Sequence, residues 1–171
     1  MRRVVTHGDG PTLLASDLVE SLFLAELLAP SPDVWLLSPW ISDIEVIDNR
    51  AGAYTDVFPG RPARAIQLTD ALIELAERGS HVHLVVRPDP PGNTAVIAKL
   101  KSAATQLRQI DIIPRENLHE KALLTSYFHL HGSMNFTHYG REINEEALVV
   151  DTDKDHIART NLEYRDRYGQ S

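Results

Sequence analysis

The stretch NLHEKALLTSYFHLHGSMNFT, residues 117–137, decides how this chain is read. Its two short apolar runs, KALLTS (121–126) and YFHLHGS (127–133), have the length and composition of consecutive strands. Residues two apart on a strand share a face, so His119 and Lys121 project together. Ser133 and Asn135 share a side wherever the chain stays extended past the second run. A tight turn between antiparallel strands then sets the two pairs side by side. Such a group suits a phosphodiester. A neutral imidazole nitrogen can attack phosphorus and form a covalent intermediate. Ammonium, hydroxyl and amide groups donate to the phosphoryl oxygens, where charge builds in the transition state. Glu145, within REINEEALVV (141–150), can orient the imidazole through its other nitrogen. His131 and His138 flank the GSMN segment and are candidate phosphate contacts. The competing reading is a surface hairpin with polar residues placed by chance.

Upstream, a short apolar RVVT leads through HGDGP into a helix from Pro11 to Leu28, with proline tolerated in the first turn. VWLLS (34–38) reads as a buried strand. Residues 39–62 hold three prolines, two glycines and four acidic residues without a sustained period, and a connection of that length in a compact domain is often functional. Its Trp40, Asn49, Arg50, Tyr54 and Phe58 are candidates for a groove wall or a dimer contact, Trp40 first among them as a group that stacks on bases. A helix over 63–79, the strand HVHLVV (81–86), a helix over 94–107 and the strand QIDIIP (109–114) follow. After KALLTS and YFHLHGS come the strand EALVVD (146–151) and a mixed-charge helix over 154–168. Early strands alternate with helices while later strands run together. That order predicts an α/β sandwich in one domain over 1–171, a mixed β-sheet flanked by helices on both faces.

The chain carries no cysteine and a formal net charge of −7. A thiolate metal site and a disulfide framework are excluded. An acidic protein does not coat DNA by broad charge neutralisation, although a local basic groove is enough to bind it. The first helix carries Asp17, Glu20 and Glu26, which argues against a secretory or membrane segment; a cytoplasmic protein without membrane contact is expected. His81 with His83, and His129 with His131, share strand faces. Paired strand histidines can bind zinc, but with no carboxylate or cysteine at clear ligand spacing they read as packed or hydrogen-bonded, and no metal or cofactor is expected. HGDGP lacks the third glycine of a dinucleotide fingerprint, with Leu13 in its place, and reads as a turn. Arg159, Arg165 and Arg167 on the last helix read first as a solvated face.

HEKALLTS, GSMNFT and NEEALVV together resemble the phospholipase D superfamily, whose signature is HxKxxxxD followed by GSxN. Ser126 stands at the aspartate position, and the spacer to Gly132 is one residue short. The resemblance implies a phospholipase D-like sandwich and a metal-independent phosphodiesterase with His119, Lys121, Ser133, Asn135 and Glu145 in the catalytic roles. The family mechanism uses two histidines, one as nucleophile and one as acid for the leaving oxygen. A chain with a single motif, similar to the bacterial Nuc-type endonucleases, implies a homodimer in which each copy supplies one. The chain also resembles, through its size and LLSPWISD, the small phospholipase D-like proteins of 7-deazapurine DNA-modification clusters. That likeness implies nucleic acid, DNA first, as the substrate, and partner proteins of a restriction system. Two alternatives remain open: a catalytically weak or inactive dimer that senses phosphate or DNA as a scaffold, and, ranked lower, a lipid hydrolase.

Overall fold

A computed structural model describes residues 2–5, 9–60, 62–133, 135–137 and 147–169, with the backbone alone for 2–5, 9–15 and 147. In chain order the elements are β1 (Arg2–Val5), α1 (Asp9–Leu28), β2 (Asp33–Ser38), β3 (Glu45–Ile47), β4 (Ile66–Gln67), α2 (Leu68–Glu77) and β5 (His81–Val86). They continue with α3 (Asn93–Ala104), β6 (Ile110–Pro114), β7 (Ala122–Leu124), β8 (His129–Gly132), β9 (Ala147–Asp151) and α4 (Lys154–Tyr168). One seven-stranded sheet has the order β1-β9-β8-β7-β2-β5-β6. β2, β5 and β6 run parallel, as helical crossovers require, and the remaining pairs are antiparallel. The mixed sandwich expected from the sequence is the fold observed.

The period of two sorts each strand between the faces. Val34, Leu36, Val82, Leu84, Leu123 and Leu130 bury one face, covered by Val19, Phe23 and Leu27 of α1, Leu72 and Leu75 of α2, and Val96 and Leu100 of α3. β2 and β5 are buried on both faces, so they read as near-continuous apolar runs. No helix among the described residues is long and apolar enough to cross a membrane.

The 39–62 connection is more ordered than its sequence suggests. It contains β3, which pairs with β4 as a two-stranded ribbon, and the helix expected from 63 begins only at Leu68. Phe58 is fully buried, and Asn49 is spent on the loop itself, accepting from the Tyr54 N–H at 2.8 Å. Arg78 ties the loop down by donating to the carbonyls of Val57 and, at 2.6 Å, Leu27. Neither Phe58 nor Asn49 faces a groove. Of the aromatic residues named there, Trp40 is the exposed one.

Among the described residues the other face is covered by α4, through Ile157, Tyr164 and Tyr168 against Trp35, Leu37, Val85 and Leu124, with Leu118 packed beside them. Asp153 caps this helix, accepting from the His156 N–H at 2.8 Å. β8 directs His129 and His131 at the helix, and His129 Nδ1 meets His156 Nε2 at 2.9 Å, a bond that needs a bare nitrogen on one ring. Burial, with the positive charges of His131 and His156 adding to it, pushes the His129 pKa down to about 4. Above pH 6.5 this imidazole is neutral in both folded and unfolded chains. As pH falls from 6.5 towards 4 the unfolded chain takes up a proton that the folded one refuses, so stability drops, by roughly 3 kcal/mol over that window. Urea unfolding at pH 7.5 and pH 4.5 checks this. The acid-induced loss should shrink in His129→Leu, and an undiminished loss would exclude His129 as its source.

Candidate functional site

The carboxyl ends of β2, β5 and β6 all finish at one edge of the sheet, and β7 starts there, since Leu37 of β2 pairs with Ala122. Open α/β sheets bind ligands off these strand ends. His119 and Lys121 lie in the segment entering β7 rather than within the strand. His119 is exposed, and the Lys121 ammonium donates to its carbonyl at 2.8 Å. Glu120 between them turns towards α4. There its carboxylate accepts from the Tyr164 hydroxyl and lies 3.4 Å from Arg167 and 3.5 Å from the Tyr168 hydroxyl. Burial, reinforced by that carboxylate, raises the Tyr164 pKa, so the phenol stays a donor. The last turns of α4 thus hold the middle residue of His-Glu-Lys and aim its neighbours outward. Sequence reading overlooked Glu120.

The second half of the motif arrives on β8. The Gly132 N–H reaches the Lys121 carbonyl at 3.4 Å, which places Ser133 next to the His119–Lys121 segment. Beyond it, Phe136 bridges to Ile41. Its N–H takes Ser38 Oγ at 3.3 Å, and its carbonyl accepts from the Ser42 N–H at 2.8 Å. Asn135 is thereby held beside the Ser38–Ser42 segment, and its buried Oδ1 has no partner among the described residues. That segment is itself clamped by Asn93, a fully buried amide. Asn93 donates to the carbonyls of Pro39 at 2.9 Å and Arg87 at 2.8 Å, and accepts from the Ile41 N–H at 2.8 Å. A lone asparagine at a helix start gave no signal of this three-way role.

Cations gather at this edge. Arg87 and Arg115 are the first residues beyond β5 and β6. Arg87 lies 5.3 Å from the Trp40 ring centroid, and Arg115 and Arg167 lie 5.8 and 5.2 Å from that of Tyr168. Arg115, His119, Glu120, Arg167 and Tyr168 line a cavity of 580 Å³. Trp40 is 43% exposed. An acidic chain therefore presents arginines and aromatic rings at this edge, with Glu116 and Glu120 lining the same cavity as His119.

The remaining candidates fall elsewhere. Glu145 and His138 lie outside the described residues. His131 sits on the α4 side of β8, opposite Ala122 and 4.5 Å from the His129 ring. Ser126 lies past the other end of β7; it is exposed, and its N–H donates to Ser31 Oγ at 2.9 Å. The buried carboxylate of that neighbourhood comes from Glu26 of α1, which accepts from the Ser31 N–H. Its pKa is raised by burial, against the lowering effect of bonds from Ser31 and Thr125.

Among the described residues, one group of histidine and carboxylate ligands could hold a metal ion, Asp33, His81 and His83, at the starts of β2 and β5. Burial lowers the His83 pKa. For Asp33 burial acts upward, but hydrogen bonds from His83 and Arg165 prevail and hold the carboxyl below its usual range.

The fold is shared with solved structures at low identity. Nuc from Salmonella typhimurium, a phospholipase D family member, aligns at TM-score 0.57 and 19% identity over 86% of this chain and 84% of its own. NucT from Helicobacter pylori aligns at 0.60 and 14% over 96% and 94%. TrmBL2, an archaeal chromatin protein with a novel mode of DNA binding, aligns at 0.54 and 15% over 98% of this chain and 52% of its own. No curated protein sequence matches the chain. The family model for the phospholipase D-like domain of cardiolipin synthase matches residues 55–167, a span that takes in the His119–Lys121 segment, Ser133 and Asn135. By that match the chain belongs to the phospholipase D-like family.

Proposed function

We propose that this protein is a metal-independent phosphodiesterase that cleaves nucleic acid, DNA first, as a homodimer. The observation that carries the reading is the convergence of His119, Lys121, Ser133 and Asn135 at a sheet edge rimmed by Arg87, Arg115 and Arg167. His119 Nε2 or Nδ1 attacks phosphorus and the P–O bond to the leaving oxygen breaks. The partner subunit's His119 donates the proton that oxygen needs. Water, deprotonated by that same imidazole, then breaks the phosphohistidine bond. Lys121, Ser133 and Asn135 supply donors to the phosphoryl oxygens, with Glu145 orienting the imidazole and His138 a flanking phosphate contact.

The substrate class rests on the rim. In a chain of net charge −7, Arg87 over the exposed Trp40 supports a phosphate backbone with a base stacked on the indole. The chromatin protein among its structural relatives binds DNA, which agrees with this choice. Cytoplasmic action beside partner proteins of a DNA-modification or restriction system completes the proposal. The sensor reading drew on Ser126 and on the acidic surface. That residue is at the far end of β7 from His119, so its hydroxyl in place of a carboxylate takes no group from the phosphate edge.

Plasmid and single-stranded DNA incubated with the protein in EDTA test the reading. Wild type should cut, and His119→Ala should lose roughly a thousandfold or more in rate while still binding. Binding without cleavage by both proteins would favour the sensor. Two histidines from two copies also predict a dominant effect. After subunit exchange with an equal amount of His119→Ala, activity per total protein should fall to roughly a quarter, because mixed dimers are dead; a fall to only about half would remove the shared site. Trp40→Ala should weaken single-stranded DNA binding by about 1–3 kcal/mol and leave unfolding unchanged, as read by fluorescence anisotropy and urea titration.

A further inference from the structure

We propose that Asp33, His81 and His83 form a binding site for a divalent transition-metal ion of the zinc class, at the opposite end of the sheet from His119. The phosphodiester reading makes no use of this end. β2 is six residues long, so the two sites are about 16–20 Å apart.

Register builds the cluster. β2 and β5 pair in parallel with Asp33 beside His81 and Trp35 beside His83, and β5 and β6 pair with His83 beside Asp111. Alternation turns all of these side chains to the α4 face, and strands far apart in sequence supply the carboxylates that two histidines on one strand lack. One ligand atom from each of Asp33, His81 and His83 lies within 4.8 Å of the others. His83 Nε2 is 3.1 Å from Asp33 Oδ1, and His81 Nε2 is 2.8 Å from Asp111 Oδ2. His83 Nδ1 is 3.4 Å from the same Asp111 oxygen. With bonds of about 2.0–2.1 Å, neighbouring ligands of a tetrahedral zinc ion stand about 3.3 Å apart, so the His83–Asp33 pair is already near the spacing an ion needs and His81 lies within 4.8 Å of both. Asp111, touching both imidazoles, is placed as the outer carboxylate that fixes ring orientation around bound metals.

The rings are held before any ion arrives. His83 stacks on the buried Trp35 at 3.9 Å, and His81 stacks on His83 at 4.3 Å. Arg165 takes Asp33 Oδ2, leaving Oδ1 for the ion; the nearby guanidinium charge weakens binding, so micromolar rather than nanomolar affinity is expected. The side chains of His81 and Asp111, 43% and 35% exposed, open the cluster to solvent. A bound ion would join β2 to β5 at the end remote from the cavity beside His119.

The test uses the full chain, stripped with EDTA and dialysed, then titrated with cobalt(II) alone and with zinc(II) alone. One ion per chain is expected, with a visible cobalt band of four-coordinate nitrogen and oxygen ligands and a rise in Tm with zinc. His81→Ala removes a half-exposed side chain and should match the metal-free wild type in Tm while binding at least tenfold more weakly. His81→Asn serves as a second variant. His119→Ala should bind as wild type does. Absence of binding at millimolar metal would overturn the proposal. So would binding unchanged in both His81 variants, or binding lost in His129→Leu but kept in His81→Ala.

Discussion

Strand β2 is paired in two senses at once, and the candidate site depends on it. Leu37 lies beside Val85 in a parallel ladder and beside Ala122 in an antiparallel one. Parallel pairing stacks the carboxyl ends of β2, β5 and β6 at a single edge. Antiparallel pairing delivers the beginning of β7, with His119 and Lys121, to that same edge. Were β7 parallel to β2, the same residues would enter the sheet at the opposite end, among Asp33 and His81. The hydrophobic runs of β2 and β5, buried on both faces, hold this arrangement by area removed from water. Asn93, satisfied three times over in a buried position, fixes the loop leaving β2 where water could not replace a lost bond.

Electrostatics are divided along the strands rather than spread over the surface. The end beside His119 carries Arg87, Arg115, Lys121 and Arg167 together with Glu116 and Glu120, whereas the opposite end sets Asp33 and Asp111 against Arg165, His81 and His83. Net charge reports only the sum, and a strongly acidic sum is compatible with a cationic groove because fields are screened beyond about 10 Å at 0.1 M salt. The two sequence-level facts, an acidic pI and a motif for phosphate chemistry, therefore do not conflict.

Helix α4 links the two ends. Near its C-terminus, Tyr164, Arg167 and Tyr168 hold Glu120. One residue on from Tyr164, Arg165 holds Asp33, and at its start His156 meets His129. Its face against the sheet is aromatic and polar instead of purely aliphatic, which makes its seating sensitive to protonation. The expected solvated role of Arg165 and Arg167 is thus incomplete, since both guanidiniums reach carboxylates of the sheet side.

By itself the sequence determined the order and type of nearly every described element, because apolar period and turn residues act locally. It also singled out His119, Lys121, Ser133 and Asn135, since motif spacing along two adjacent strands is a local property too. It could not show that Glu120 is an anchor, that Asn93 clamps three segments, or that Phe58 belongs to the core. The bonds of Glu120 to Tyr164 and of Asn93 to Pro39 and Ile41 span 44 to 54 residues, a separation no periodicity encodes. The same limit explains the histidines of β5. Along the chain they have no carboxylate at ligand spacing, and only strand register sets Asp33 and Asp111 against them.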